Sequence, residues 1–326
     1  MSDGLHHELN HGRRQHYAGF YGLSPLPDDG RPILIVHGNC QAESVRVLLA
    51  GAEGRTPIGS EGGPWHAVRI PPVHEIEDAD EPHLAALLTR TRLLLSQPVR
   101  NDYRNLRLGT DQLAAHLPAG ARVLRFPIVR HLGLHPYQAI VRHPSDPAAV
   151  PAGVPYHDLR ILTAVRDGLG EAAAIDRATQ VTAAEPALRE VGERSLAELD
   201  RREQSCDVGV SDLIPGLAET AVHTVNHPGN ALLIALARRI QTALGVPATA
   251  ADPGRELLGG IRAPLQAAVL EALGLTGAPR EHWLVDGGSV APALVVQKQL
   301  PWYAAHPQFV AAGLERHAER IGLLGL

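Results

Sequence analysis

The sequence predicts an α/β fold: a mostly parallel sheet core with helices on both faces and an added C-terminal helical region. Three observations carry this. Short apolar runs at Ile33–Val36, Leu93–Leu95 and Val123–Phe126 have the length and composition of buried strands. Residues at helical spacing separate them, and strands alternating with helices are the pattern of a parallel sheet. Beyond residue 155 helical spacing dominates, at about 156–170, 172–204, 229–244, 264–274 and 306–323.

Residues 1–30 are polar and rich in His and Gly, and end in Pro25-Leu26-Pro27-Asp28-Asp29-Gly30. They read as a partly ordered arm with Tyr17, Phe20 and Tyr21 packed on the body. After the strand Ile33–Val36 the chain turns at Gly38-Asn39-Cys40, and from Gln41 the residues Val45, Leu48 and Leu49 recur at helical spacing. Residues 51–83 mix Gly, Pro and an acidic patch, which suggests an irregular excursion before a helix near His83. A short helix from about Asp111 to His116, capped by Thr110 or Asp111, separates the second and third strands. Residues 143–155 are Pro-rich and break the alternation. The expected organisation is an arm (1–30), an α/β domain (31–244) and a helical extension packed on it (245–326).

A chain of 326 residues can bury a large core, and with 4% aromatics Leu, Val, Ile and Ala must fill it. The net charge of −5 offers no basic field for nucleic acid and no polybasic membrane anchor. Two cysteines, Cys40 and Cys206, make no disulfide framework and fit a reducing compartment. No signal peptide and no membrane span is evident, so a cytoplasmic protein is expected.

The strand-to-helix turn is the most informative stretch. A cysteine at a helix start sits beside free backbone N–H groups, which favour anions; they would lower the pKa of the Cys40 thiol and stabilise an oxyanion or phosphate. His227, in Asn226-His227-Pro228, falls where the helix beginning near Ala231 is capped, and an imidazole at such a loop tip could act as a general base. Glu203 and Asp207 stand about one helical turn apart; they face a shared site or form a solvated helix end, the commoner arrangement for a charge run. Arg100, Arg104 and Arg107 cluster after the second strand, where open α/β sheets bind ligands, and guanidinium groups suit nucleotide-like phosphates. Neither a G-x-G-x-x-G nor a P-loop pattern occurs. His7-Glu8-Leu9-Asn10-His11 matches H-E-x-x-H, but it lies in the polar arm without a cleft around it, and no metal site is expected.

Taken in order, Gly38-Asn39-Cys40-Gln41, Gln97 with Asp102-Tyr103-Arg104, Phe126-Pro127 before His135-Pro136-Tyr137, Leu196…Leu199…Arg202-Glu203…Asp207-Val208, and Asn226-His227-Pro228 resemble the WcbI family of polysaccharide-biosynthesis proteins. The resemblance implies binding of coenzyme A or acetyl-CoA and O-acetyl transfer to a saccharide or other small-molecule hydroxyl. In that picture Cys40 forms an acyl-thioester or positions the thioester of CoA, and His227 is the base. Asp207 or Glu203 orients the histidine or the acceptor. Gly38, Asn39, Gln41, Gln97, Arg100, Tyr103, Arg104, Arg107 and Asn226 line the cofactor. A thiol hydrolase and a non-catalytic CoA- or sugar-binding protein are the rival readings, and a homo-oligomer stays open.

Overall fold

The computed structural model describes residues 11–26, 28–50, 65–146 and 149–326. Residues 7–10 of the H-E-x-x-H segment and residues 51–64 of the 51–83 excursion lie outside them. The chain divides into two compact units, each assembled from three stretches. The first holds the chain up to Ile128 with Asp200–Leu213 and Asn230–Leu257; the second holds Val129–Leu199, Ile214–Gly229 and Leu258–Leu326.

The first unit contains β1 (Ile33–His37), α1 (Cys40–Ala50), β2 (His66–Val68), α2 (Glu81–Leu88), β3 (Thr91–Ser96), α3 (Thr110–Ala114) and β4 (Arg122–Arg125). The four strands form one parallel sheet in the order β2-β1-β3-β4. All five residues of β1 are buried, because a strand in the middle of a parallel sheet has no wet face; this is why its sequence is a continuous apolar run. The register sets Val36 beside Leu95 and His37 beside Ser96, so β1 and β3 end together. The helix Asn230–Ala243 packs on α1. Tyr17, Phe20 and Tyr21 are buried in the core with Ile35, Ile76 and Leu94, and the Tyr21 hydroxyl donates to Asp80, which also pairs with Arg13. β2 escaped the sequence reading, since three residues are too few for a periodic signal. α2 begins at Glu81, with Pro82 in its first turn, and Thr110 is the first residue of α3 rather than its cap, a position Gly109 holds.

The second unit is mainly helical. Its core joins Leu159 and Leu162 of the helix Leu159–Arg166 to Val296 and Tyr303 of Pro292–Ala305 and Phe309 of Pro307–Arg316. The single helix expected over 172–204 is two, Glu171–Gln180 and Glu185–Glu203, because the chain becomes extended at Val181 and Pro186 fits only the first turn of the next helix; the last residues of that helix, from Asp200, count with the first unit. The helix Pro292–Ala305 was not expected, since Pro301 lies inside it. Pro307–Arg316 and Ala318–Leu323 replace one helix over 306–323. Three small antiparallel sheets complete the unit: Trp283–Val285 between Ile261–Arg262 and Gly288–Val290, Gln138–Ala139 against His157–Asp158, and Val222–Thr224 against His227–Pro228. His227 therefore lies in a two-residue strand rather than at a helix cap, and the helix that follows starts at Asn230.

Candidate active site

In the first unit the predicted residues gather at the carboxyl ends of β1 and β3. Gly38 leaves β1 against the Gln97 side chain. A Cβ added there would sit 2.7 Å from Gln97 Cδ and 2.8 Å from its Cγ, so only glycine allows this approach. The fully buried Gln97 accepts from the Asn39 N–H through Oε1 (2.8 Å) and donates from Nε2 to Gln41 Oε1 (3.3 Å). Asn39 caps α1: its Oδ1 accepts from the Gln41 N–H at 2.9 Å. The turn is thus fixed by three amide side chains, with the Val73 N–H donating to the Gly38 carbonyl at 2.7 Å.

Of the backbone N–H groups at this helix start, that of Asn39 is taken by Gln97 and that of Gln41 by Asn39. The thiol also departs from expectation. Burial pushes the pKa of Cys40 up, and its own N–H and that of Gln41 pull it down by less, so the net shift is upward; Glu75 adds to the rise. Cys40 is a half-buried thiol rather than a thiolate at neutral pH. Burial likewise raises Cys206, to about 11, and that thiol faces the Arg202 carbonyl.

The loop after β3 is a tight strap. Asp102, Arg104 and Asn105 take left-handed backbone angles (φ 53°, 58° and 65°), a strained run for non-glycine residues. Gln112 of α3 holds it by donating to Asp102 Oδ1 (2.7 Å) and accepting from the Asp102 N–H (3.0 Å). The Tyr103 ring packs against the core. Arg104 donates to the His74 carbonyl, while the side chains of Arg100 and Arg107 are exposed and pair with no carboxylate among the described residues. Beneath the strap, Thr110 Oγ1 donates to the Gln97 carbonyl (2.9 Å), and buried His37 bonds through Nε2 to the Leu108 carbonyl (2.9 Å). Sequence reading missed His37 and Ser96, since single polar residues at strand ends carry no pattern, and took Thr110 only as a helix cap.

The two carboxylates are occupied within the first unit. Glu203 accepts from the N–H groups of Val210 (2.8 Å) and Ser211 (3.1 Å) and from Ser211 Oγ (2.6 Å). Asp207 bonds reciprocally with Arg125 at the end of β4: its Oδ2 accepts from the Arg125 N–H (2.5 Å) and its N–H donates to the Arg125 carbonyl (2.8 Å).

His227 and Asn226 belong to the second unit. The His227 ring meets Tyr156 edge-on at 5.9 Å, and the Tyr156 hydroxyl donates to Asn226 Oδ1 at 2.8 Å. Burial, with His223 nearby, lowers His227 to about 4, so its imidazole is neutral at pH 7. No group of three or more His, Cys, Asp or Glu among the described residues is arranged to hold a metal, and no described helix is long and apolar enough to cross a membrane.

Residues 33–249, roughly two thirds of the chain, match the family model of the polysaccharide biosynthesis enzyme WcbI. The chain belongs to the WcbI family. The matched span contains every residue from Gly38 to His227 described above. A solved WcbI structure shares the fold with a TM-score of 0.74 at 22% identity, over 90% of this chain and 97% of that one. It is described as the native WcbI protein without the disulfide bond between coenzyme A and one of its cysteines. No curated protein matches the chain. As a WcbI family member the protein is placed among polysaccharide biosynthesis enzymes, and the α/β core with C-terminal helices is the fold of that structure.

Proposed function

We propose that the protein is a CoA-dependent O-acyltransferase that passes an acyl group, acetyl in the simplest case, to a hydroxyl of a saccharide or other small-molecule acceptor. The observation that carries this reading is Cys40, a thiol held at the start of α1 by the amides of Asn39, Gln41 and Gln97. The solved WcbI is described as lacking the disulfide bond between coenzyme A and one of its cysteines, and of the two cysteines here Cys40 stands at the ligand-binding end of the sheet. Bound acetyl-CoA would supply a thioester carbonyl. Around it the chain offers the Cys40 N–H and the Asn39 amide as oxyanion donors. Arg100 and Arg107 fit the phosphates as exposed guanidinium groups, while Arg104 is held on the His74 carbonyl.

The raised pKa of Cys40 favours direct transfer over an acyl-enzyme. An ordinary cysteine is only a few per cent thiolate at pH 7, and burial reduces that further. Cys40 then positions the thioester, and the acceptor hydroxyl attacks it. A C–O bond forms, the C–S bond breaks, and the proton released by the hydroxyl ends on the departing CoA sulfur. Glu203 and Asp207 support the fold around the site rather than the proton transfer.

The test combines titration calorimetry with coenzyme A and intact-mass analysis after incubation with acetyl-CoA. Binding weakened at least tenfold by Arg100→Ala with Arg107→Ala, and no acetyl adduct on Cys40, is the expected result. A stable adduct on Cys40 would establish the covalent route instead. Absence of CoA binding would overturn the proposal and return the thiol hydrolase to the front.

A further inference from the structure

The second unit contains a cavity of about 670 Å³, within the range of small-molecule sites. Three of its lining side chains end in buried polar atoms that have no hydrogen-bond partner among the described residues: His135 Nε2, Gln138 Nε2 and Gln266 Oε1. His135 and Gln138 are themselves 4% and 6% exposed. Leaving such atoms unpaired costs on the order of 1–3 kcal/mol each, so a ligand that pairs them recovers part of that cost.

Their chemistry defines the ligand. Gln138 is pinned by its Oε1, which accepts from the Val225 N–H at 2.8 Å, so its amide nitrogen is left as a fixed donor. The His135 ring lies against the backbone carbonyls of Val222 and Pro264, and burial keeps it neutral. With its other nitrogen turned to those carbonyls, Nε2 is an acceptor. Gln266 Oε1 is a second acceptor. A wall of Tyr156 and Trp283, stacked at 6.0 Å and 24°, adds an apolar face. Of the lining arginines, Arg160 is paired with Asp158 at 2.7 Å, and Arg280 gives Nε and one Nη to the Ala263 carbonyl, which fixes its guanidinium without neutralising it.

We propose that this cavity is a saccharide subsite, taking a sugar whose adjacent hydroxyls pair with His135, Gln138 and Gln266 and whose apolar ring face lies on the aromatic wall. Each hydroxyl both donates and accepts, which one donor beside two acceptors demands. That the sugar is the acyl acceptor rests on the acyltransferase reading; that a sugar binds here does not.

Saturation-transfer NMR on the whole protein tests this. The probes are the methyl glycosides of glucose, galactose, mannose and N-acetylglucosamine, with maltose and cellobiose, each without and with coenzyme A. Gln266→Ala removes one acceptor and breaks no bond of the fold. Gln138→Glu keeps the acceptor for Val225 and deletes the donor. The expected result is transfer to at least one sugar, reduced at least fivefold in both variants, with CoA affinity unchanged. No transfer to any sugar, or transfer unaffected by both variants, overturns the subsite. Loss of CoA affinity in these variants would also overturn it and give the cavity to CoA. Sugar binding without any CoA binding would keep the subsite and remove the acyltransferase reading.

Discussion

Gly38→Ala is the most incisive perturbation, because the structure states what the new methyl would meet. The added Cβ would overlap the Gln97 side chain, with Cδ and Cγ at 2.7 and 2.8 Å. Gln97 is fully buried and cannot swing into water, so it must abandon its bonds to the Asn39 N–H and to Gln41. An unmet buried donor costs about 1–3 kcal/mol and each lost neutral bond about 1, so Gly38→Ala should destabilise by about 2–4 kcal/mol. Gln97→Ala loses the same bonds and leaves a small void, for a similar cost. The double variant then separates this contact from a general intolerance of alanine. With Gln97 truncated the methyl has room, so the two losses should not add, and the coupling should be about 2 kcal/mol in the direction of rescue. Urea denaturation of the four proteins measures it. Additivity within about 0.5 kcal/mol would refute the claim that Gln97 is why residue 38 must be glycine.

Glu203→Ala strands three donors at Val210 and Ser211 and should cost about 3 kcal/mol, with Glu203→Gln recovering part of it, both read by denaturant midpoint. Asp80→Ala removes the buried partner of Arg13 and Tyr21 and should destabilise by about 3–5 kcal/mol; limited proteolysis should then cut residues 11–24 first, and an unchanged cleavage pattern would separate that segment from Asp80. His37, His131, His157, His227 and His317 are lowered to about 4 and His135 to about 3, mainly by burial. Each binds a proton more readily unfolded than folded, so its contribution is complete above about pH 6.5 and is lost as pH falls towards 4. Unfolding at pH 5.5 should therefore take up about five protons; uptake of one or none, from the pH dependence of the denaturant midpoint, would contradict the buried neutral histidines.

The strand-to-helix turn was legible because two periods meet there: the buried run Ile33–His37 and the helical spacing of Val45, Leu48 and Leu49. β3 was legible from its buried leucines, and β4 from the apolar pair Val123 and Leu124. Loop architecture was not. That Gln97 locks Gly38, or that Gln112 straps Asp102, depends on chain segments brought together by the sheet, and nothing local in either residue announces it. The pKa of Cys40 was read from the helix start alone, and the competing burial comes from tertiary packing that a sequence does not display. Glu203 and Asp207 have the spacing of a shared site, yet each is spent on backbone N–H groups. The saccharide cavity joins residues as distant as His135 and Gln266, with no motif to mark it.

The first unit reclaims two late stretches of chain, and this orders the events of its synthesis. When Ile128 leaves the ribosome all four strands have been made, but β4 still lacks Asp207 at its end and α1 lacks the helix Asn230–Ala243 that packs on it. Translation at about 5–20 residues per second leaves that half-built sheet waiting on the order of ten seconds. During that interval an apolar helix face and an open strand end are available to the wrong neighbour. The nascent chain is thus at its most vulnerable after its sheet has formed, and a fragment ending near residue 128 should inherit that stickiness permanently.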